Sequence, residues 1–278
     1  MIIAVASGKG GTGKTTVAVS LALALPGAQL LDADAEEPNA HLFLPPAIEK
    51  TVPVFMMVPD VDLSTCTFCG KCAEFCQFNA LAVVKQQVLV FPELCHGCSG
   101  CVYVCPEGAI GRRERQIGEV EVGTARGMRF IQGRLKPGEP SAVRIVREEF
   151  SQLDRDGFAV VDAAPGTACA VQDTIANSDF CLLVTEPTPF GLHDLQMAAS
   201  LAQELRIPVG VVINRSGPRD EIIENECSAR NLPVLLKIPF DRRIAEAYSR
   251  GEPLVDAFPD WRKPLRDLCA EIERRKDQ

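Results

Sequence analysis

The sequence predicts an α/β fold, a doubly wound and mostly parallel sheet interrupted once by a small α+β insert. Three observations carry that expectation. Apolar runs of strand length alternate with helix-length segments along most of the chain. The first run leads through a glycine-rich loop into a helix, the punctuation of a strand–loop–helix unit. Eight of twelve cysteines fall between residues 66 and 105, where the α/β rhythm stops. At 278 residues with 46% hydrophobic content, the chain can bury one large core and carry a smaller domain beside it.

Residues 1–6 (MIIAVA) read as a buried strand, and residues 15–25 as a helix with no internal Gly or Pro. Between them lie Gly8, Lys9, Gly10, Gly11, Thr12, Gly13, Lys14, Thr15 and Thr16. Gly8, Gly13, Lys14 and Thr15 match G-x-x-x-x-G-K-[ST], the phosphate-binding P-loop. Residues without Cβ let successive backbone N–H groups turn inward, and the following helix adds its positive dipole end. Lys14 is placed to reach the β/γ-phosphates and the Thr15 hydroxyl to bind Mg²⁺.

Residues 28–31 form a second buried strand, ending in Asp32-Ala33-Asp34. Carboxylates at the carboxyl end of a parallel strand lie on the edge where such sheets bind ligands. A further strand at 158–161 ends in Asp162-Ala163-Ala164-Pro165-Gly166, an aspartate in the Walker B position. Strands at 180–184, 209–213 and 234–238 alternate with helices near 190–205, 219–230 and 241–250, which indicates a parallel sheet covered on both faces. Residues 142–155 also read as a helix, and 113–141, rich in Gly and Arg, as a hairpin returning the chain from the insert. In the last helix, about 261–275, Trp261, Leu265, Leu268 and Ile272 make one apolar stripe among Asp267, Glu271 and Glu273; it is expected to pack on the domain and not on a membrane.

The order K-G-G-T-G-K-T-T, with Lys9 directly after the first glycine, resembles the deviant P-loop of the MinD/Mrp/ParA family, which includes the nitrogenase iron protein. The resemblance implies a MinD-like P-loop NTPase fold and slow hydrolysis of ATP to ADP. It also implies an ATP-dependent dimer, with itself or with a related ATPase, in which Lys9 reaches the partner subunit's nucleotide. It gives Asp34 the role of orienting the attacking water and Asp162 that of holding a water on Mg²⁺. Asn214 matches the residue that reads the adenine edge, and Pro239 and Asp241 the loop that lines the base.

The insert, expected over residues 59–112 between the two parts of the ATPase domain (1–58 and 113–278), is an internal repeat. Cys66, Cys69, Cys72 and Cys76 recur 29 positions later as Cys95, Cys98, Cys101 and Cys105. Several thiolates on one tight loop are what an iron–sulfur cluster needs. A zinc ribbon pairs two C-x-x-C knuckles and leaves no place for a spaced fourth cysteine in each block. The pattern resembles a bacterial two-cluster ferredoxin, and two [4Fe-4S] clusters are the expected cofactors. In that arrangement the fourth cysteine of each run serves the other cluster. One cluster would take Cys66, Cys69, Cys72 and Cys105, and the other Cys95, Cys98, Cys101 and Cys76. Gln77 stands where a proline follows the last cysteine of such runs, whereas Pro106 is present. His96 is expected as a neighbour and not a ligand. Cys169 lies seven residues beyond Asp162, as in the nitrogenase iron protein, but no second cysteine loop accompanies it. Like Cys181, Cys227 and Cys269, it reads as an ordinary core or surface thiol.

A net charge of −8 argues against nucleic acid or an anionic membrane as a main partner. The start lacks a charged n-region and a small-residue cleavage site, and no apolar run approaches the ~18 residues of a membrane span; a cytoplasmic location is expected. The leading functional expectation is an ATPase that gates electron transfer through the two clusters to a redox partner. The alternative is an Mrp-type ATPase that carries clusters or other metal cofactors to a metalloprotein partner, and a positioning ATPase of MinD type is a third. Cobyrinic acid diamide synthases share the nucleotide fold but need a glutaminase domain for which there is no room.

Overall fold

The computed structural model describes residues 1–276. Its centre is a nine-stranded sheet. The strands in chain order are β1 (Ile2–Ala6), β2 (Gln29–Ala33), β3 (Ala47–Val61), a separate hairpin of β4 (Leu81–Val84) and β5 (Gln87–Val90), then β6 (Ile110–Ala125), β7 (Met128–Leu135), β8 (Ala159–Ala163), β9 (Phe180–Thr185), β10 (Val209–Ser216) and β11 (Val234–Pro239). The helices are α1 (Lys14–Ala24), α2 (Lys71–Phe75), α3 (Gly100–Val104), α4 (Val143–Ser151), α5 (Cys169–Ala176), α6 (Pro189–Glu204), α7 (Glu221–Ala229), α8 (Arg242–Ser249), α9 (Leu254–Ala257) and α10 (Arg262–Arg275).

Across the sheet the order is β11-β10-β9-β1-β8-β2-β7-β6-β3. From β11 to β7 every neighbouring pair is parallel, and β7–β6 and β6–β3 are antiparallel. The expected parallel sheet is present, with an antiparallel ribbon added at one edge. Arg126 and Gly127, both at positive φ (51° and 75°), make the two-residue turn between β6 and β7; a left-handed pair of this kind matches the twist of the flanking strands.

Two core layers flank the sheet. On one face α1, α9 and α10 bury Val17, Leu21, Leu254, Leu265, Leu268 and Ile272 against Ile3, Leu30, Val160 and Leu182. The last helix is thus a packing helix, its stripe covered by the domain. On the other face α5, α6 and α7 cover the β9–β10 half, and α4 covers β2, β7 and the ribbon with Ile145, Val146 and Phe150. Among the described residues no helix is long and apolar enough to cross a membrane.

Strand β3 has no counterpart in the sequence pattern, where Pro53 and Pro59 obscure it. It is an edge strand with β6 on one side only, so a missing N–H on the open side costs no ladder bond. With β6 it forms one long ribbon, paired from Ala47↔Thr124 to Val61↔Ile110. The eight-cysteine segment lies at the far end of that ribbon, between Val61 and Ile110. It holds α2, α3 and the β4–β5 hairpin around a satellite core of Cys72, Leu81 and Ile110.

Candidate nucleotide site and cysteine cavities

The carboxyl ends of β1, β2 and β8 bring the P-loop and both acidic turns together. Gly13 takes φ +94° as the residue before α1, and a Cβ there would lie 2.3 Å from the Asn214 Nδ2. Gly8 needs its bare Cα for a different reason: a Cβ would meet the Asp194 carbonyl oxygen at 2.3 Å. Lys14, almost fully buried, points its Nζ to within 3.9 Å of an Asp162 carboxylate oxygen. That oxygen and the Thr12 hydroxyl are buried with no hydrogen-bond partner in the protein. Orphaned polar atoms beside a buried cation are what an Mg²⁺–phosphate group would satisfy.

Asp32 and Asp162 are register partners on adjacent strands. Burial, then the neighbouring Asp162 charge, pushes Asp32 up to about 7 against N–H donors from Ala40, Asn39 and Asp34. Burial likewise raises Asp162, with Lys14 and the Thr15 hydroxyl opposing it. Asp34 lies further out, at the wall of the cleft; burial lifts it to about 6 while Lys14 pulls it back.

A cleft of about 390 Å³ runs from the P-loop past Asp34 to Asn214, Pro239, Phe240, Asp241 and Tyr248. Of the residues expected to line the nucleotide, Gly10, Gly11, Gly13, Lys14, Thr15, Thr16, Asn214, Pro239 and Asp241 share this cavity, whereas Gly8, Lys9 and Thr12 do not line it. Asn214 donates from Nδ2 to the Thr12 carbonyl (2.7 Å) and accepts the Arg215 N–H, so its amide braces the loop. Asp241 caps α8 by accepting the Arg243 N–H (2.8 Å) and pairs with the Arg243 guanidinium. Lys9 is held within its own chain: its Nζ meets Glu186 at 2.6 Å, and Arg215 meets the other Glu186 oxygen at 2.6 Å. Burial alone would raise the Glu186 carboxyl, but these two cations hold it below the usual carboxylate range. Residues 185–189, which include Glu186, resemble a family stretch, but nothing in the sequence pairs Glu186 with Lys9 or singles out Arg215; the fold places them beside the loop.

The cysteines ring two separate cavities. Cys66, Cys69, Cys72 and Cys105 line one, and Cys76, Cys95, Cys98 and Cys101 the other. The repeat extends to the backbone. Phe68, Gly70 and Asn79 have positive φ, as do Gly97, Ser99 and Gly108, their equivalents in the second block. Phe68 and Gly97 donate N–H to Cys66 and Cys95 sulfur (both 3.4 Å), and Ala80 and Ala109 to Cys76 and Cys105 sulfur (both 3.3 Å). Such turns wrap amide donors around sulfur, as a thiolate-held cluster requires. Among the described residues no three His, Cys, Asp or Glu side chains converge on a point that one metal ion could occupy. All twelve cysteines are free; Cys181, Cys227 and Cys269 are buried and Cys169 is exposed. The His96 ring stacks on Phe78 at 3.8 Å beside the second cavity.

The comparisons with known proteins agree with this geometry. Residues 3–254 match the model of the CobQ/CobB/MinD/ParA nucleotide-binding domain. The chain belongs to that family. An uncharacterized protein of Methanocaldococcus jannaschii is 32% identical over 97% of this chain and 96% of its own length. An iron-sulfur cluster carrier protein of the same organism is 24% identical over 99% of this chain and 86% of its own. Among solved structures, the septum site-determining protein MinD of Pyrococcus horikoshii, complexed with Mg-ADP, superposes with a TM-score of 0.60 at 18% identity, covering 98% of this chain and 95% of that one. The MinD cell division ATPase of Pyrococcus furiosus gives 0.59 at 22% identity over 98% of both chains. These likenesses establish a MinD-like fold.

Proposed function

We propose that this chain binds and slowly hydrolyses ATP, and that the nucleotide gates electron transfer through two [4Fe-4S] clusters to a partner protein. The observation that carries the proposal is the division of eight cysteines into two four-thiol cavities, at the end of a ribbon continuous with the nucleotide-binding sheet. Complete ligand sets within one chain suit clusters that stay and cycle electrons.

On the nucleotide side the chain works by position and charge. The P-loop amides and Lys14 hold the phosphates, Thr15 and Asp162 would hold Mg²⁺, which supplies further charge neutralisation, and Asp34 orients the attacking water. Closure into an ATP-dependent dimer, with a second copy or a related ATPase, would draw Lys9 off Glu186 and across to the partner's nucleotide. A cytoplasmic location fits this reading.

The second reading, an iron–sulfur or metal-cofactor carrier, is favoured by the names of several relatives and by the exposure of Cys69 and Cys98. Anaerobic reduction of the clustered protein and of an acceptor, with and without ATP and in a Lys14→Ala variant, tests the first reading. Rates indifferent to both changes would defeat it. Loss of the clusters to an apo-acceptor would establish the carrier instead.

A further inference from the structure

We propose that α4 is the lever that carries the nucleotide state to the Cys95–Cys101 loop, with Arg147 at its middle and Arg144 in its first turn as positioning residues. This rests on the gating reading above and names its route. Helix α4 lies directly on strand backbone. A Cβ on Gly133 would come within 2.3 Å of the Ile145 Cγ2 and 2.5 Å of a Glu149 carboxylate oxygen, and one on Gly118 within 2.7 Å of the Ile145 Cδ1. At these two glycines α4 side chains rest on bare strand backbone, so in a close-packed interface the helix shifts with, or steps across, the β6–β7 ribbon.

The middle of the lever meets the nucleotide side. The Arg147 guanidinium makes a bidentate pair with Asp173 of α5, at 2.8 Å from Nη2 and 3.0–3.2 Å from Nε. Helix α5 begins three residues after Gly166 of the D-x-x-P-G turn, and the Gly166 N–H donates to the Ser7 carbonyl at the P-loop (2.9 Å). A change in the γ-phosphate contacts of that turn therefore reaches Asp173 along one short helix. The first turn, one turn before Arg147, meets a cysteine cavity. Arg144 Nη2 lies 3.4 Å from the Gly97 carbonyl oxygen, and the Gly97 N–H is the donor to Cys95 sulfur. Gly97 is wedged there, since a Cβ would lie 2.7 Å from Met56 and 3.1 Å from Arg144. Ala142, Ile145 and Val146 share one core with Cys95 and Ala80, whereas Cys72 belongs to the satellite core. Cys76 and Cys101 also pack on that satellite core, so it is the contacts at Gly97 and Cys95 that place the lever on the Cys76–Cys95–Cys98–Cys101 cavity.

A path of contacts becomes coupling only when both ends bias the same element, and that can be measured. The clustered full-length protein is titrated potentiometrically with EPR detection, without nucleotide and with a non-hydrolysable ATP analogue. In the wild type the analogue is expected to shift the midpoint of the cluster in the Cys95 cavity and leave the other unchanged. Arg147→Ala and Asp173→Ala are each expected to reduce that shift at least threefold, and the charge-swapped double variant Arg147→Asp/Asp173→Arg to restore most of it. Iron content and analogue affinity should stay at wild-type values, because the Arg147 side chain is 66% exposed and lies outside both sites. A full shift retained in both single variants, or a shift at the Cys66 cavity alone, overturns the lever and leaves gating standing. No shift at either cluster in the wild type overturns gating and the lever together. Hydrogen exchange of residues 95–101, slowed or quickened by the analogue in the wild type but not in Arg147→Ala, provides a readout independent of the potentials.

Discussion

Replacing Cys105 with alanine should damage the cluster of the first cysteine block, although Cys105 is only four residues from Cys101 and 33 from Cys72. The structure puts Cys105 on the cavity wall with Cys66, Cys69 and Cys72, and Cys76 on the wall with Cys95, Cys98 and Cys101. Each substitution removes one of four thiolates from one cavity and none from the other. If two [4Fe-4S] clusters are bound, iron should fall from about eight per chain to between about four and seven, depending on whether the damaged cluster is lost or retained as a three-iron species. The assay is anaerobic reconstitution, iron counting and EPR of four single variants. Cys105→Ala should give the spectrum of Cys69→Ala, and Cys76→Ala that of Cys98→Ala. A Cys105→Ala spectrum that matches Cys98→Ala would refute the crossed ligand sets, and unchanged iron in all four would refute the clusters themselves.

Two further outcomes follow from the packing under α4. Gly133→Ala drives a methyl group into Ile145 and Glu149; overpacking of this kind costs about 1–3 kcal/mol, or roughly 2–4 °C of melting temperature per kcal/mol in a chain of this size. Gly157→Ala, where the nearest atom to the new Cβ is 3.7 Å away, serves as the control and should melt like the wild type. Glu149 is fully buried, neither of its carboxylate oxygens has a hydrogen-bond partner, and burial followed by the Asp32 charge raises its pKa well above 4.5. The native state then holds a proton that the unfolded chain releases, so this residue costs stability as pH rises, by about 1.4 kcal/mol per pH unit above the unfolded value until the native group ionises. Glu149→Gln lacks that slope, and the gap in melting temperature should widen in the variant's favour between about pH 5 and pH 7; parallel pH profiles would show that Glu149 is ionised in the fold.

Much of the nucleotide site was legible because it is written locally. The P-loop is one contiguous stretch, and Asp34 and Asp162 each follow an apolar strand. The cysteine repeat was legible for the same reason, whereas the left-handed turns that recur with it are seen only in the structure. The β3 strand was not, because Pro53 and Pro59 are strand breakers everywhere except on an open edge, and being an edge strand is a property of the sheet. The partners of Glu186 were not legible until β9 was placed beside β1, which set it against Lys9 and Arg215. Glu149 looked like a solvated helix residue until α4 was laid on Gly118 and Gly133.

The sequence by itself determined the chemistry available: an amide-lined phosphate loop with its lysine and hydroxyl, two acidic strand ends, and two repeated runs of thiols, each a matter of residues within one turn of chain. Only the tertiary structure decided how these were combined. It held Lys9 on Glu186 of its own chain and laid α4 against both α5 and the Cys95–Cys101 loop. These are contacts between residues far apart in sequence, fixed by strand order and close packing, and local pattern carries no record of them.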